Sequence, residues 1–172
     1  MATDTAFEMA TSSVRFGPGV TREVGMDLTD LGARRIMVVS DPNLSRLPPV
    51  ATVLESLSRE KLEYSLFDGV SIEPTDASFQ EAIDFARAGG FDAFVAVGGG
   101  STIDTAKAAN LYSTYPADFL EYVNPPIGQG KPVPGPLLAD MQALLPRLQS
   151  RSGPVAVLLE LLSGPEIQAL LS

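Results

Sequence analysis

From Phe91 to Tyr112 the chain reads FDAFVAVGGGSTIDTAKAANLY: an apolar run, three consecutive glycines, a serine and a helical pattern. No other stretch constrains the fold as tightly. The run from Phe91 to Val97 is apolar on both alternations except at Asp92, as expected of a strand whose sheet is covered by helices on both faces. Gly98, Gly99 and Gly100 end it. Residues without a Cβ let the backbone pass through φ > 0 and let a bulky group approach the main chain. Ser101 stands where an N-cap belongs, with Asp104 three residues on to complete a capping box, which predicts a helix from Thr102 to Leu111. The free amides of its first turn, with roughly half a positive charge from the macrodipole, suit a pyrophosphate. The plainer alternative is a glycine-rich turn before a capped helix, with no ligand. One glycine would make that turn, and three favour the anion. A Walker A loop is excluded because Lys107 lies six residues past Ser101. The GxGxxG fingerprint belongs to a first βα turn, which this is not.

The remaining pattern alternates strands and helices. Val14-Arg15-Phe16 predicts a short strand, Gly17-Pro18-Gly19 a break, and Val20 to Leu31 a helix closed by Gly32. Ile36 to Ser40 is a fully apolar strand ended by Asp41-Pro42. Pro48 and Pro49 open a helix whose Val50, Val53, Leu54 and Leu57 share one face. Tyr64 to Phe67 predicts the next strand, and Thr75 caps a helix with the stripe Phe79, Ala82, Ile83 and Ala86, stopped by Gly89-Gly90. The parallel core then lies near residues 36–40, 63–67 and 91–97 of an α/β, doubly wound, mostly parallel, Rossmann-like sheet. Ligands of such sheets bind outside the carboxyl ends of the strands. Asp41 ends one strand and the 98–101 loop another, which places an acceptor for the hydroxyls of an adenosine ribose near a holder for the pyrophosphate. An Asp before Pro is also a routine turn residue. An acid there disfavours the additional 2′-phosphate of NADP by like-charge repulsion.

Composition removes several classes. The 172 residues carry a net charge of −9, which argues against nucleic acid and anionic membranes as partners. With no cysteine and no histidine, disulfides, thiolate sites and imidazole-built metal sites are excluded. No apolar stretch reaches membrane-spanning length. The start, MATDTAFEMATSS, shows neither a basic n-region nor an arginine-rich amphipathic pattern, so a cytoplasmic location is expected.

The word GGGSTIDTAKAANLY resembles the GGGSxxDxxKxxN segment of the iron-containing alcohol dehydrogenases. The flanking words FEMATSSVRFGPGVTREVGMDL, VSIEPTDASFQEAIDFARAGG and ADFLEYVNPPIGQGKPVPGP extend the likeness from about Ala6 to Pro136. The resemblance implies the family's dehydroquinate synthase-like N-terminal domain and NAD as cofactor. It also implies hydride transfer from 4-hydroxybutyrate to 2-oxoglutarate, the reaction of the branch most similar to these words. In that family the acid precedes the glycines, as Asp41 does here, and Asp41 matches its adenosine-ribose acid. Gly98, Gly99, Gly100, Ser101 and Asp104 match its loop, with Asp104 expected to brace the loop amides and Lys107 to be solvated or paired with Asp104. Glu73 replaces the asparagine of the family's Pro-Asn-Pro-Thr word, so that adenine contact is not carried over. The family's metal domain, with one Asp and three His for Fe²⁺ or Zn²⁺, has no counterpart in this sequence, so neither catalytic nor metal residues are assigned.

Residues 137–172 stand apart from the NAD-binding domain of residues 1–136. Leu137, Leu138, Met141, Leu144, Leu145 and Leu148 recur at helical spacing, and Gly-Pro at 135–136, 153–154 and 164–165 opens each aliphatic run. This Leu-rich tail predicts two or three short helices, or else an out-of-frame sequence without selected structure. The latter is preferred because the join falls inside what resembles an uninterrupted family segment. Two functions stay open: the cofactor-binding part of a catalytically incomplete oxidoreductase, or a non-catalytic dinucleotide-binding module that pairs with itself or with a full-length subunit.

Overall fold

A computed structural model describes residues 17–133 and 155–160, the latter segment as backbone only. The strand expected at 14–16 and the helix expected over 137–148 lie outside the described residues.

Two rules of local geometry account for most of the elements. Val20–Glu23 is a 3-10 turn leading into α1, Val24–Asp30. α1 ends in a Schellman closure, with Gly32 at φ +76° and the Ala33 and Gly32 amides donating to the carbonyls of Leu28 and Thr29. The pair Pro48-Pro49 starts α2, Pro48–Arg59, with its missing amides falling in the first turn where no helical bond is lost. Lys61, at φ +58°, ends α2 in the same left-handed conformation as Gly32, with bonds from Lys61 N to Ser58 O and from Leu62 N to Leu57 O. Sequence reasoning had no signal for that closure, since lysine gives none. Thr75 caps α3, Asp76–Gly89, in a reciprocal box with Ser78. Gly90, at φ +58°, stops it.

The strands β1 (Arg35–Val39), β2 (Glu63–Phe67), β3 (Ala93–Gly98) and β4 (Val155–Glu160) form one parallel sheet in the order β2-β1-β3-β4. Successive side chains of a strand point to opposite faces, and both faces of β1 are apolar. Ile36 and Val38 pack with Val24, Leu28, Val50, Val53 and Leu57 of α1 and α2. Met37 and Val39 pack with Ala82, Ala86, Ala106 and Ala109 of α3 and α4, the last spanning Gly100–Thr114. This two-sided burial explains the uninterrupted apolar runs of β1 and β3, while β2, at the edge, is exposed over most of its length. At the amino edge, Asp92 accepts from the backbone amides of Arg34 and Arg35, tying the β3 entry to the start of β1.

One expectation for the tail is overturned in the part described. Residues 155–160 are a strand, not a helix, in register with β3 from Val155 opposite Ala93 to Glu160 opposite Gly98. The physical reason is the open edge of β3, whose backbone groups need partners. The five-residue apolar run Val155 to Leu159 is too short for its periodicity to separate helix from strand.

Candidate functional site

The order β2-β1-β3 means that the chain leaves β1 toward one side and returns to its other side. β1 and β3 therefore flank the topological switch point, where open α/β sheets bind ligands outside their carboxyl ends. Ser40 follows β1 there, fully buried, with its hydroxyl donating to the Val97 carbonyl at 2.9 Å and its amide donating to Phe67 O. It fastens the ends of all three neighbouring strands, a role that sequence reading assigned only to a strand terminus.

Beyond Ser40 lies a shallow cavity of about 150 Å³ lined by Asp41, Val70, Ser71, Ile72, Gly99, Gly100, Ser101 and Thr102. Four of the residues singled out from sequence, Asp41, Gly99, Gly100 and Ser101, meet in it although about sixty positions of chain separate the acid from the loop. Gly98 and Asp104 are not among its walls. The Asp41 carboxylate closes an Asx turn, one oxygen accepting from the amides of Asn43 and Leu44 at 2.9 and 3.0 Å. Among the described residues no hydrogen bond reaches its second oxygen.

The loop is built differently from the sequence expectation. α4 begins at Gly100, with Gly99 as N-cap at φ −90°, ψ −162°. Ser101 and Asp104 form no capping box, because the early start places Ser101 at the second helical position and Asp104 a full turn in. Asp104 pairs instead with Lys107 at 3.6 Å, both side chains exposed, as the spacing allowed. None of the three glycines uses a positive φ. Gly98 is required for space: a Cβ there would lie 2.3 Å from Thr102 Oγ1 and 2.8 Å from Thr102 Cβ. At Gly99 and Gly100 a Cβ would meet nothing within 4 Å. Neither internal packing nor backbone conformation demands glycine at those two positions, and the space above them is open.

The first backbone bond of α4 runs from Ile103 N to Gly99 O at 3.0 Å, and no side chain caps the helix. Among the described residues the amides of Gly100, Ser101 and Thr102 have no hydrogen-bond partner, and these residues line the cavity at the positive end of the helix dipole. Thr102, 3% exposed, forms the floor. Sequence reading missed Thr102 and the 70–72 wall, for which no local pattern existed.

The family pattern described as iron-containing alcohol dehydrogenase matches residues 11–141. The chain belongs to that family. It is 62% identical over 136 residues to "Hydroxyacid-oxoacid transhydrogenase, mitochondrial" of Bos taurus, covering 78% of this chain and 29% of that protein. The Homo sapiens protein of the same name is 57% identical over 136 residues, with the same coverage. The chain thus spans under a third of the length of these relatives. Among solved structures, a 1,3-propanediol oxidoreductase superposes with a TM-score of 0.60 at 30% identity, covering 63% of this chain and 28% of that one. An NADH-dependent butanol dehydrogenase A from Thermotoga maritima gives 0.65 at 22% identity, covering 77% and 33%, a likeness of fold alone.

Of the two groups this iron-containing alcohol dehydrogenase family implies, the residues present fit one. A dinucleotide suits the bare amides, the open space over Gly99 and Gly100, and the Asp41 carboxylate. A metal ion does not suit them: the chain has no histidine, and among the described residues no three His, Cys, Asp or Glu side chains come together.

Proposed function

We propose that this chain is the NAD-binding part of an oxidoreductase that passes hydride between a hydroxy acid and an oxo acid. The observation that carries the reading is the meeting of Asp41 with the free amides of Gly100, Ser101 and Thr102 at the β1/β3 switch point. The names of relatives 57–62% identical to this chain supply the substrate class.

The division of labour follows from the donors and acceptors. The free oxygen of Asp41 accepts from the ribose hydroxyls, while its other oxygen stays on the Asn43 and Leu44 amides and holds the carboxylate in place. The three amides donate to the pyrophosphate, and the dipole of α4 adds attraction without a lysine or arginine in the cavity lining. Gly99 and Gly100 admit the phosphates to hydrogen-bonding distance. Asp104 acts indirectly, its charge held by Lys107 and away from the phosphates. The bound dinucleotide supplies the hydride-accepting ring; this chain's residues bind and orient it, and substrate activation falls to parts of the enzyme beyond this chain. Localisation follows the relatives named above, whose names carry the word mitochondrial, and subcellular fractionation tests that against the cytoplasm.

Calorimetric titration of the chain with NAD⁺ is the test, with Asp41→Asn beside it. Saturable binding is expected, weakened about tenfold or more in Asp41→Asn, since a hydrogen bond to a charged group contributes about 1.5–3 kcal/mol. A folded chain that binds no NAD⁺ would end the proposal.

A further inference from the structure

The Ser101 hydroxyl does not face the cavity as a spare donor. Its Oγ donates to the backbone carbonyl of Ile72, 29 residues away on the β2–α3 loop, at 2.5 Å. The direction is unambiguous, because a carbonyl oxygen only accepts, and a hydroxyl has one proton to give. Toward an anion above Gly100 this oxygen then presents only lone pairs, which repel phosphate oxygens. The loop on the other end of the bond has little else to hold it. Among the described residues, the main chain of 69–74 makes no other hydrogen bond, and Ile72 is 80% exposed. Val70, buried against the α3/α4 face of the sheet, pins one end, and the Thr75 cap of α3 pins the other. Between these anchors, among the described residues, the Ile72 carbonyl is the only main-chain group of the loop hydrogen-bonded to the glycine-loop helix.

We infer that Ser101 is a positioning residue: its hydroxyl is a latch that holds the 70–72 wall over the cavity, and it is not a phosphate ligand. The inference rests on the dinucleotide reading for its consequence, though not for the latch itself. Only the backbone amide of Ser101 then serves the pyrophosphate, and the wall is formed before the ligand arrives, which lowers the ordering cost of binding.

Two measurements on Ser101→Ala and Ser101→Thr test it. Limited proteolysis of the chain without ligand, with a broad-specificity protease, reports the latch: cleavage within 70–73 should be roughly fivefold faster in Ser101→Ala, the fold-change of about one net hydrogen bond, and return to the wild-type rate in Ser101→Thr. Titration with NAD⁺ and with inorganic pyrophosphate reports its consequence: Ser101→Ala should lose several-fold affinity for NAD⁺, which spans the wall, and keep its affinity for pyrophosphate, which touches only the amides. Unchanged cleavage within 70–73 in Ser101→Ala overturns the latch. Loss of pyrophosphate affinity with it would make the hydroxyl a direct ligand instead. Absence of NAD⁺ binding in the wild type refutes the dinucleotide reading while the cleavage rate still decides the latch.

Discussion

Two glycines of the 98–100 loop, Gly98 and Gly100, are expected to respond to the same methyl group with opposite signs. In Gly98→Ala the new carbon would sit 2.3 Å from Thr102 Oγ1 and 2.8 Å from Thr102 Cβ. Rotating the threonine moves the hydroxyl but not its Cβ, which is fixed to α4, so relief requires displacing the buried first turn of the helix. Overpacking of this kind costs about 1–3 kcal/mol, offset in part by the roughly 0.5–1 kcal/mol by which alanine exceeds glycine within a strand. A net loss of about 1–2 kcal/mol lowers Tm by about 2–8 °C for a chain of this size. Gly100→Ala meets no atom within 4 Å and needs no unusual φ. Restricting the unfolded chain then stabilises it by about 0.4–1 kcal/mol. The same methyl fills the space above the Gly100 and Ser101 amides. Carbon contacts optimal near 3.5–4.0 Å keep phosphate oxygens outside the 2.7–3.2 Å range of an N–H···O bond. Loss of one charge-assisted bond predicts about tenfold weaker NAD⁺ binding or worse. Urea unfolding by circular dichroism and calorimetric titration read the two effects separately. Unaltered stability in Gly98→Ala, or unaltered affinity in Gly100→Ala, would refute the account of why this loop has three glycines.

Tyr112 and the tail strand offer two further tests. The Tyr112 hydroxyl donates to Phe119 O, and burial, followed by the nearby Tyr122, raises its pKa above the ordinary 10.0. A raised folded-state pKa means that the folded protein holds the phenolic proton more tightly, so this stabilisation is complete below pH 10 and declines as pH climbs through the folded value. Tyr112→Phe is expected to lower stability by about 0.5–1.5 kcal/mol at neutral pH and to flatten that alkaline limb, as measured by urea unfolding across pH 8 to 11. Val157→Pro removes a backbone donor from the middle of β4; faster hydrogen exchange across Ala93–Gly98 is expected, and unchanged protection there would show that β4 does not support β3.

Much of the architecture was legible because it depends on local chemistry. The apolar runs of β1 and β3, the prolines opening α2, the Thr75 cap and the Gly32 and Gly90 closures each announce themselves within a few residues. The family word around Gly98 to Asn110 was legible for the same reason, being contiguous. The capping arrangement of that word was misjudged: which residue caps a helix depends on where the chain first takes helical angles, and the early start at Gly100 displaced Ser101 and Asp104 from the positions their spacing suggested. Lys61 carries a left-handed closure that lysine does not signal.

By itself the sequence determined the alternation of elements, the two-faced core strands and the identity of the loop and acid as candidates, since each rests on periodicity or on the backbone preferences of single residues. Tertiary structure alone decided which of them meet. Strand order brought Asp41 beside Gly99 and Gly100. Packing of α4 against the end of β3 made Gly98 obligatory, and a bond across 29 residues turned Ser101 from cap into latch. A strand of the tail found its partner because β3 had an open edge. Contacts between residues distant in the chain depend on how the elements pack, and no short-range pattern encodes that.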